Sequence, residues 1–385
     1  MSAFLLGVNY WPRRSAMYMW QRFDLGEIRE DMQRIKDLGL DLVRFFLRWD
    51  DFQPAPDLMD STALRHFEAV VSAIADAGLR AMPTLYCGHM SGVNWLPSWT
   101  LDPGTPHGRF RTISRDTLSP YGIGDFYHDP ALLRAQELFA RTVAERVRDH
   151  PALYAWDLGN EFSNLRDPQT PEHAAEWSRL LTGALKTYSA AVVTGGTHGE
   201  DLERDRNLRP SSLAAPWEIA TMHGYSAYAV FSRDVHDSDC VPYYCALMQA
   251  FSRKPVLFSE FGNPTCPRNP VTYTMACLSE DDMQTYTLAV LDKLQQRGAL
   301  GALWWCWADY ADDVAHLPPF DEAPHELTFG LVRSDGSLKP VAQTLALFAR
   351  AGRNVGATPP PIAEERAFYA GLPGSIRTLY KEFTR

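Results

Sequence analysis

The sequence predicts a (β/α)8 barrel with long connections after its third and eighth strands. Three observations carry that reading. Eight short apolar runs recur along the chain, amphipathic stretches at helical spacing separate them, and no glycine-rich turn follows the first run. Continuous apolar runs of this length suit parallel strands buried on both faces. Their alternation with helices is an α/β pattern. A doubly wound sheet would want a phosphate-cradling turn where Gly7-Val8-Asn9-Tyr10 stands.

Strands are expected at Leu5–Trp11, Leu42–Trp49, Arg80–Cys87, Leu153–Gly159, Ala191–Gly195, Ile219–Gly224, Pro255–Phe261 and Gly301–Ala308. After the first, Ile28, Met32, Ile35 and Leu38 fall on one helical face that Gly39 closes; Phe67, Val70, Val71 and Ile74 repeat this before Gly78. Leu133, Leu138, Phe139 and Val143 lead into the fourth strand, and Trp177, Leu181 and Leu185 into the fifth. Met283, Tyr286, Val290 and Leu294 precede the eighth, behind a capping sequence that starts at Ser279. A last helical face carries Leu345, Leu347 and Phe348. Residues 88–129 and 310–327 read as long loops without structure of their own, of the kind that act as lids or binding loops. The barrel is assigned to residues 1–353. Residues 354–385, opened by Pro359-Pro360-Pro361, form a C-terminal extension packed on it, with Phe368, Tyr369 and Tyr380 exposed for a contact.

Composition bounds the partners. The 385 residues carry 37 Lys plus Arg against 47 Asp plus Glu, a net charge of −10, with no basic run. Nucleic acid and anionic membranes are excluded as partners on that balance. No run approaches the ~20 apolar residues of a membrane span. The N-terminus lacks the basic and small-residue features of a signal peptide, so a cytoplasmic protein is expected. The six cysteines, Cys87, Cys240, Cys245, Cys266, Cys277 and Cys306, show no CxxC spacing and read as reduced thiols. Aromatic residues make up 12% of the chain, a high share that suits either core packing or flat platforms for a ligand.

The chemistry of such a barrel sits at the C-terminal ends of its strands. Strand four ends in Asn160-Glu161 and strand seven in Ser259-Glu260. A glutamate directly after an apolar strand needs a partner or a function. Two carboxylates at one barrel mouth meet the requirement of glycoside hydrolysis, one protonated to serve the leaving oxygen and one ionised to attack.

These residues resemble the retaining β-glycosidases of glycoside hydrolase clan A, family 5 most closely. The resemblance extends over roughly residues 4–350. It includes Arg44 on strand two, His223-Gly224-Tyr225 after strand six, Trp305 on strand eight, and the segment from Phe329 to Pro340 before the last helix. It implies that Glu161 is the acid/base and Glu260 the nucleophile, held ionised by Arg44 and Tyr225. Asn160 is implied at the sugar 2-hydroxyl and Trp305 beneath the ring. His89 and His223 are candidate sugar contacts or polar wall residues. Neither metal nor organic cofactor is expected, because strand one lacks the clustered histidines of a metal-dependent barrel hydrolase. The expected substrate is a β-linked oligosaccharide, with exo-acting β-mannosidase preferred. Endo-β-1,4-mannanase, endoglucanase, β-glucosidase and β-galactosidase remain open, and a non-catalytic carbohydrate-binding barrel is the remote alternative. Oligomeric state is not readable.

Overall fold

The computed structural model describes residues 2–266 and 275–385. Its main sheet contains β1 (Leu5–Tyr10), β2 (Leu42–Arg48), β3 (Arg80–Cys87), β4 (Ala155–Asn160), β5 (Val192–Gly196), β6 (Ala220–His223), β7 (Val256–Phe261) and β8 (Gly301–Trp304). The strands run in parallel in the order β5-β4-β3-β2-β1-β8-β7-β6. The seam between β5 and β6 is closed by a bridge from His198 to His223 and by Thr221 Oγ1 donating to the Gly195 carbonyl. The outcome is a (β/α)8 barrel. β8 is shorter than expected: pairing stops at Trp304, and residues 305–308 turn toward the Phe329–Val332 segment, where Cys306 N donates to Phe329 O at 3.3 Å.

Helices α1 (Leu25–Asp37), α2 (Ser61–Asp76), α3 (Pro130–Arg146), α4 (Pro171–Lys186), α5 (Cys240–Ser252), α6 (Glu280–Gln296) and α7 (Pro340–Arg350) surround the sheet. Side-chain caps start several of them. Asp24, Asp60, Asp129 and Ser279 each accept from backbone N–H groups of the first turn, a contact of about 1 kcal/mol apiece. Gly39 and Gly78, with φ of 79° and 69°, supply the left-handed residues that end α1 and α2. The predicted apolar faces pack inward, except that Leu138 and Leu347 point to solvent.

Inside the barrel, Leu42, Met82, Ala155, Leu257 and Leu303 form an apolar plug. Above it the strands change character, and Asn9, Arg44, Thr84, Asp157 and Ser259 are all fully buried. Each buried Leu or Phe contributes about 1.5–3 kcal/mol, which supports the cost of placing a polar floor beneath the site.

Three expectations are corrected. The connection after β3 has structure of its own: Val93–Trp95 pairs with Arg111–Ser114, which pairs in turn with Thr117–Ser119, and Leu101–Pro106 pairs with Tyr121–Ile123. Such three- to six-residue strands are too short for a periodicity to show. Next, Cys266 and Cys277 form a disulfide, while Cys87, Cys240, Cys245 and Cys306 are free. The pair meets because Thr265 bridges Leu278, with Cys266 N donating to Leu278 O at 2.8 Å. One support for the cytoplasmic expectation goes with it, since disulfides persist in oxidising compartments. Finally, Phe368, Tyr369 and Tyr380 are buried. They sit on α8 (Glu365–Ala370) and α9 (Gly374–Phe383), where Phe368 packs at a tilt against Phe251 with ring centroids 5.1 Å apart and Tyr380 OH donates to Asp237 at 2.6 Å. Their contact surface is the barrel itself. Among the described residues, no helix is long and apolar enough to cross a membrane.

Candidate active site

Arg44 is the hub of the barrel mouth. Its guanidinium is fully buried and donates to four acceptors: Asp157 at 2.8 Å, Asn9 at 3.0 Å, Asn160 at 2.9 Å and Glu260 Oε1 at 2.5 Å. Only a planar fork with five donors reaches so many strand ends from one residue. Tyr225 OH donates to the other oxygen of Glu260 at 2.6 Å. Both oxygens of Glu260 are therefore held, one by a cation and one by a hydroxyl.

Glu161 faces it from the end of β4. Its backbone is left-handed, with φ and ψ both 47°, a strained conformation for a glutamate and one that clusters at functional sites. The strain is imposed locally. Glu161 N donates to Gly196 O at 2.9 Å, and β5 approaches so closely that a Cβ on Gly196 would lie 2.0 Å from Gly159 O. The carboxyl is met by His223 Nδ1 at 3.1 Å and by Asn164 Nδ2 at 3.0 Å.

The two carboxyls differ in electrostatics. Burial pushes Glu260 up to about 7, against the pull of Arg44 and Tyr225. Glu161, with no Arg or Lys in contact among the described residues, is likewise raised well above its ordinary value, by burial first and then by the charge of Glu260. The first proton of the pair thus belongs on Glu161. Both flanking histidines are neutral, since burial drives His89 down to about 3 and His223 well below its ordinary value.

Ligand oxygens and nitrogens of Glu161, His223 and Glu260 lie within 4.8 Å of one another. A cation there would have to displace Arg44 and Tyr225 from Glu260, so these residues form a hydrogen-bonded acid pair and do not suit a metal centre.

The cavity above them measures about 610 Å³, within the range of small-molecule sites. His89, Asn160, Glu161, His223, Tyr225, Glu260 and Trp305 all line it, while Arg44 lies beneath. His89 is held by Asn94 at 2.7 Å and turns Nε2 toward Glu161 at 3.9 Å. Asn160 also donates to His89 O at 3.0 Å, which fixes its oxygen on Arg44 and leaves no freedom to flip. Asp309 is buried and paired with Lys339 at 2.7 Å, and it does not line the cavity. Glu218 pairs with Lys186 outside the cavity. Sequence reasoning missed Asn9, Asp157, Asn164 and His198 as parts of the site. Asp157 had a usable signal, a carboxylate inside the apolar run Ala155-Trp156-Asp157-Leu158.

The probable mannan endo-1,4-β-mannosidase C of Aspergillus terreus is 24% identical over 239 residues, 56% of this chain and 53% of that protein. An exo-β-1,4-mannosidase from Opitutaceae bacterium strain TAV5 is 29% identical with a TM-score of 0.76, covering 90% of this chain and 59% of the other. A GH5_18 protein from Streptomyces cattleya, in complex with Manβ1-4GlcNAc, has a TM-score of 0.80 at 23% identity, over 99% of this chain and 91% of the other. The chain spans little more than half the length of the first two. Residues 11–311 match the family described as Cellulase (glycosyl hydrolase family 5). That span takes in Arg44, both glutamates, Tyr225 and Trp305, and the chain belongs to glycosyl hydrolase family 5.

Proposed function

We propose that the chain is a retaining hydrolase of β-mannosides that removes single residues from the non-reducing end. The observation that carries the reaction is the unequal pair of facing carboxyls, within 4.8 Å. An oxygen-to-oxygen approach that close accords with carboxyls about 5–5.5 Å apart, as in a double-displacement enzyme, and falls short of the about 6.5–9.5 Å that leaves room for an inverting water. Glu161 donates its proton to the glycosidic oxygen as Glu260 attacks the anomeric carbon, giving a glycosyl ester on Glu260. Glu161, now ionised, takes a proton from water, which attacks the same carbon and frees Glu260. Arg44 and Tyr225 hold Glu260 in line, and Asn160 is placed to meet the 2-hydroxyl as positive charge develops on the ring.

The mannoside preference is supported by the 29% identical relative, named an exo-β-1,4-mannosidase. The exo mode is supported by the cavity wall. Arg111, on the insertion after β3, ion-pairs with Asp321 and, at 3.0 Å, with Glu322 beyond β8, while Ser91 donates to Glu326 at 2.9 Å. Two segments that line the cavity are thereby joined at its rim, an arrangement that favours a pocket over an open cleft.

A panel of nitrophenyl β-glycosides with manno-oligosaccharides and Manβ1-4GlcNAc tests the reading. Mannose should be the first product from every mannoside accepted. Release of mannobiose or longer fragments first would overturn the exo mode, and turnover of glucosides or galactosides alone would overturn the sugar. Arg111→Ala should change stability by less than about 1 kcal/mol, since its partners are partly exposed. It should nonetheless let internal bonds be cut, read as oligomeric products from mannohexaose by chromatography.

A further inference from the structure

Behind Glu161 lies a buried polar chain that the reaction above leaves unused. Ser163 Oγ lies 2.6 Å from Asp201 Oδ1 and 2.8 Å from His198 Nε2. His198 N donates to the second oxygen of Asp201 at 3.0 Å. The imidazole lines the cavity and presents Nδ1 to Glu161 Oε2 at 3.8 Å. All three residues are buried.

The hydrogens of this chain follow from valence. Asp201 is acceptor-only when ionised, so the single hydroxyl hydrogen of Ser163 goes to it. Ser163 Oγ must then accept from His198, which places the imidazole hydrogen on Nε2. Burial pushes the His198 pKa down, against Asp201 and Glu200, so the ring is neutral and Nδ1 is a bare lone pair. Facing a carboxylate, that lone pair repels; facing a carboxylic acid, it attracts.

We propose that Asp201 and Ser163 fix the tautomer of His198 so that its bare Nδ1 faces Glu161 and holds that carboxyl in its protonated form. His198 is a positioning residue, acting through Glu161, and the inference rests on the acid/base role assigned above. Among the other groups facing Glu161, Asn164 donates to it at 3.0 Å, Arg44 favours the carboxylate, and Glu260, Asp201 and Glu326 repel it without direction. His223 Nδ1 stands at 3.1 Å on a ring whose tautomer no second hydrogen bond fixes, and His89, whose Nδ1 is held by Asn94, turns Nε2 to the same carboxyl at 3.9 Å in parallel with His198. Around His198 itself the charged neighbours are Asp201, Glu200, Arg206 and Arg109. Arg109 and Arg206 both pair with Glu200, which leaves Asp201 as the group that orients the ring.

Two variants test it. In Ser163→Ala the ring is free to carry its hydrogen on Nδ1 and donate to the Glu161 carboxylate. In Asp201→Asn the amide can donate to Ser163 Oγ, so the hydroxyl turns to Nε2 and forces the hydrogen onto Nδ1. Both should lower the alkaline limb of kcat/KM, by about one pH unit in Ser163→Ala; Asp201→Asn also removes a charge that raises Glu161, so the charge-neutral Ser163→Ala is the deciding variant. Ser163→Thr, which keeps the hydroxyl, should restore the limb. A purely structural role would instead lower kcat equally at every pH. A second measurement needs no substrate: infrared titration of the protonated carboxyl band that disappears in Glu161→Gln. A downward shift in Ser163→Ala supports the proposal, and an unmoved band in that folded variant overturns it whatever Asp201→Asn does. A wild-type protein without glycosidase activity would end the functional reading, and the titration would still decide the role of His198.

Discussion

Glu260→Ala is expected to lower kcat/KM on a nitrophenyl β-mannoside by roughly 10⁴–10⁶-fold, the range seen when a covalent nucleophile is removed. The fold should survive. Arg44 keeps its contact with Asp157 at 2.7 Å, so no buried cation is orphaned, and the pocket already opens to solvent above the lost carboxyl. Removing a carboxyl whose pKa burial has raised also removes a desolvated group, so the melting temperature should hold or rise. External azide supplies the discriminating measurement. With an alanine in place of the nucleophile, azide can attack the anomeric carbon directly, and a retaining site should release the azide adduct of inverted configuration. Recovery of a product with retained configuration would transfer the nucleophile's role from Glu260 to another group. Near-normal turnover in the variant would sink the assignment altogether.

How much of this was legible depends on the physics behind each residue. Glu161 and Glu260 were readable because a charged side chain at the end of an apolar strand has few structural excuses, and the barrel puts every such end at one mouth. Arg44 was readable for the same reason, inside Val43-Arg44-Phe45-Phe46. Asp157 carried the same signal and was passed over because it sits three residues before the strand end, where its partner on β2 is invisible in one dimension. His198 lies two residues beyond β5, whose closing Gly195-Gly196 gives no hint of a buried ring to follow. Its importance appears only when β5 and β6 close the barrel. The Arg111 clasp joins residues 210 positions apart, and surface ion pairs leave no periodicity. The disulfide was hidden by its spacing of 11, which matches no metal or redox motif. The eight barrel strands and six of the helices, governed by local pattern, were located to within a few residues, while α5, which is buried all round and so shows no amphipathic face, the tail helices, the short strands after β3 and everything fixed by closure of the ring had to be seen.

Arg44→Leu tests that ring most severely. The variant would leave Asp157, Glu260 and Asn160 facing one another without their shared cation, and breaking a buried pair in this way costs about 3–5 kcal/mol. Thr84, which donates to Asp157 at 2.7 Å, and Tyr225 remain as neutral donors and soften the loss without cancelling it. The sign of the pH dependence follows. Burial already raises the pKa of Asp157 and takes Glu260 to about 7 with Arg44 in place. Without Arg44 both rise further. A carboxyl whose pKa is higher in the fold than in the unfolded chain takes up a proton on folding, so its penalty is absent below the unfolded value and grows as pH rises toward the folded one. The melting-temperature deficit of Arg44→Leu against wild type should therefore be larger at pH 7 than at pH 5. Activity should move the opposite way to this recovery: Glu260 must be ionised to attack, so the acid limb of kcat/KM shifts to higher pH as the fold regains stability at lower pH. Parallel shifts of both, or a deficit independent of pH, would mean that Arg44 holds the barrel by packing and not by charge.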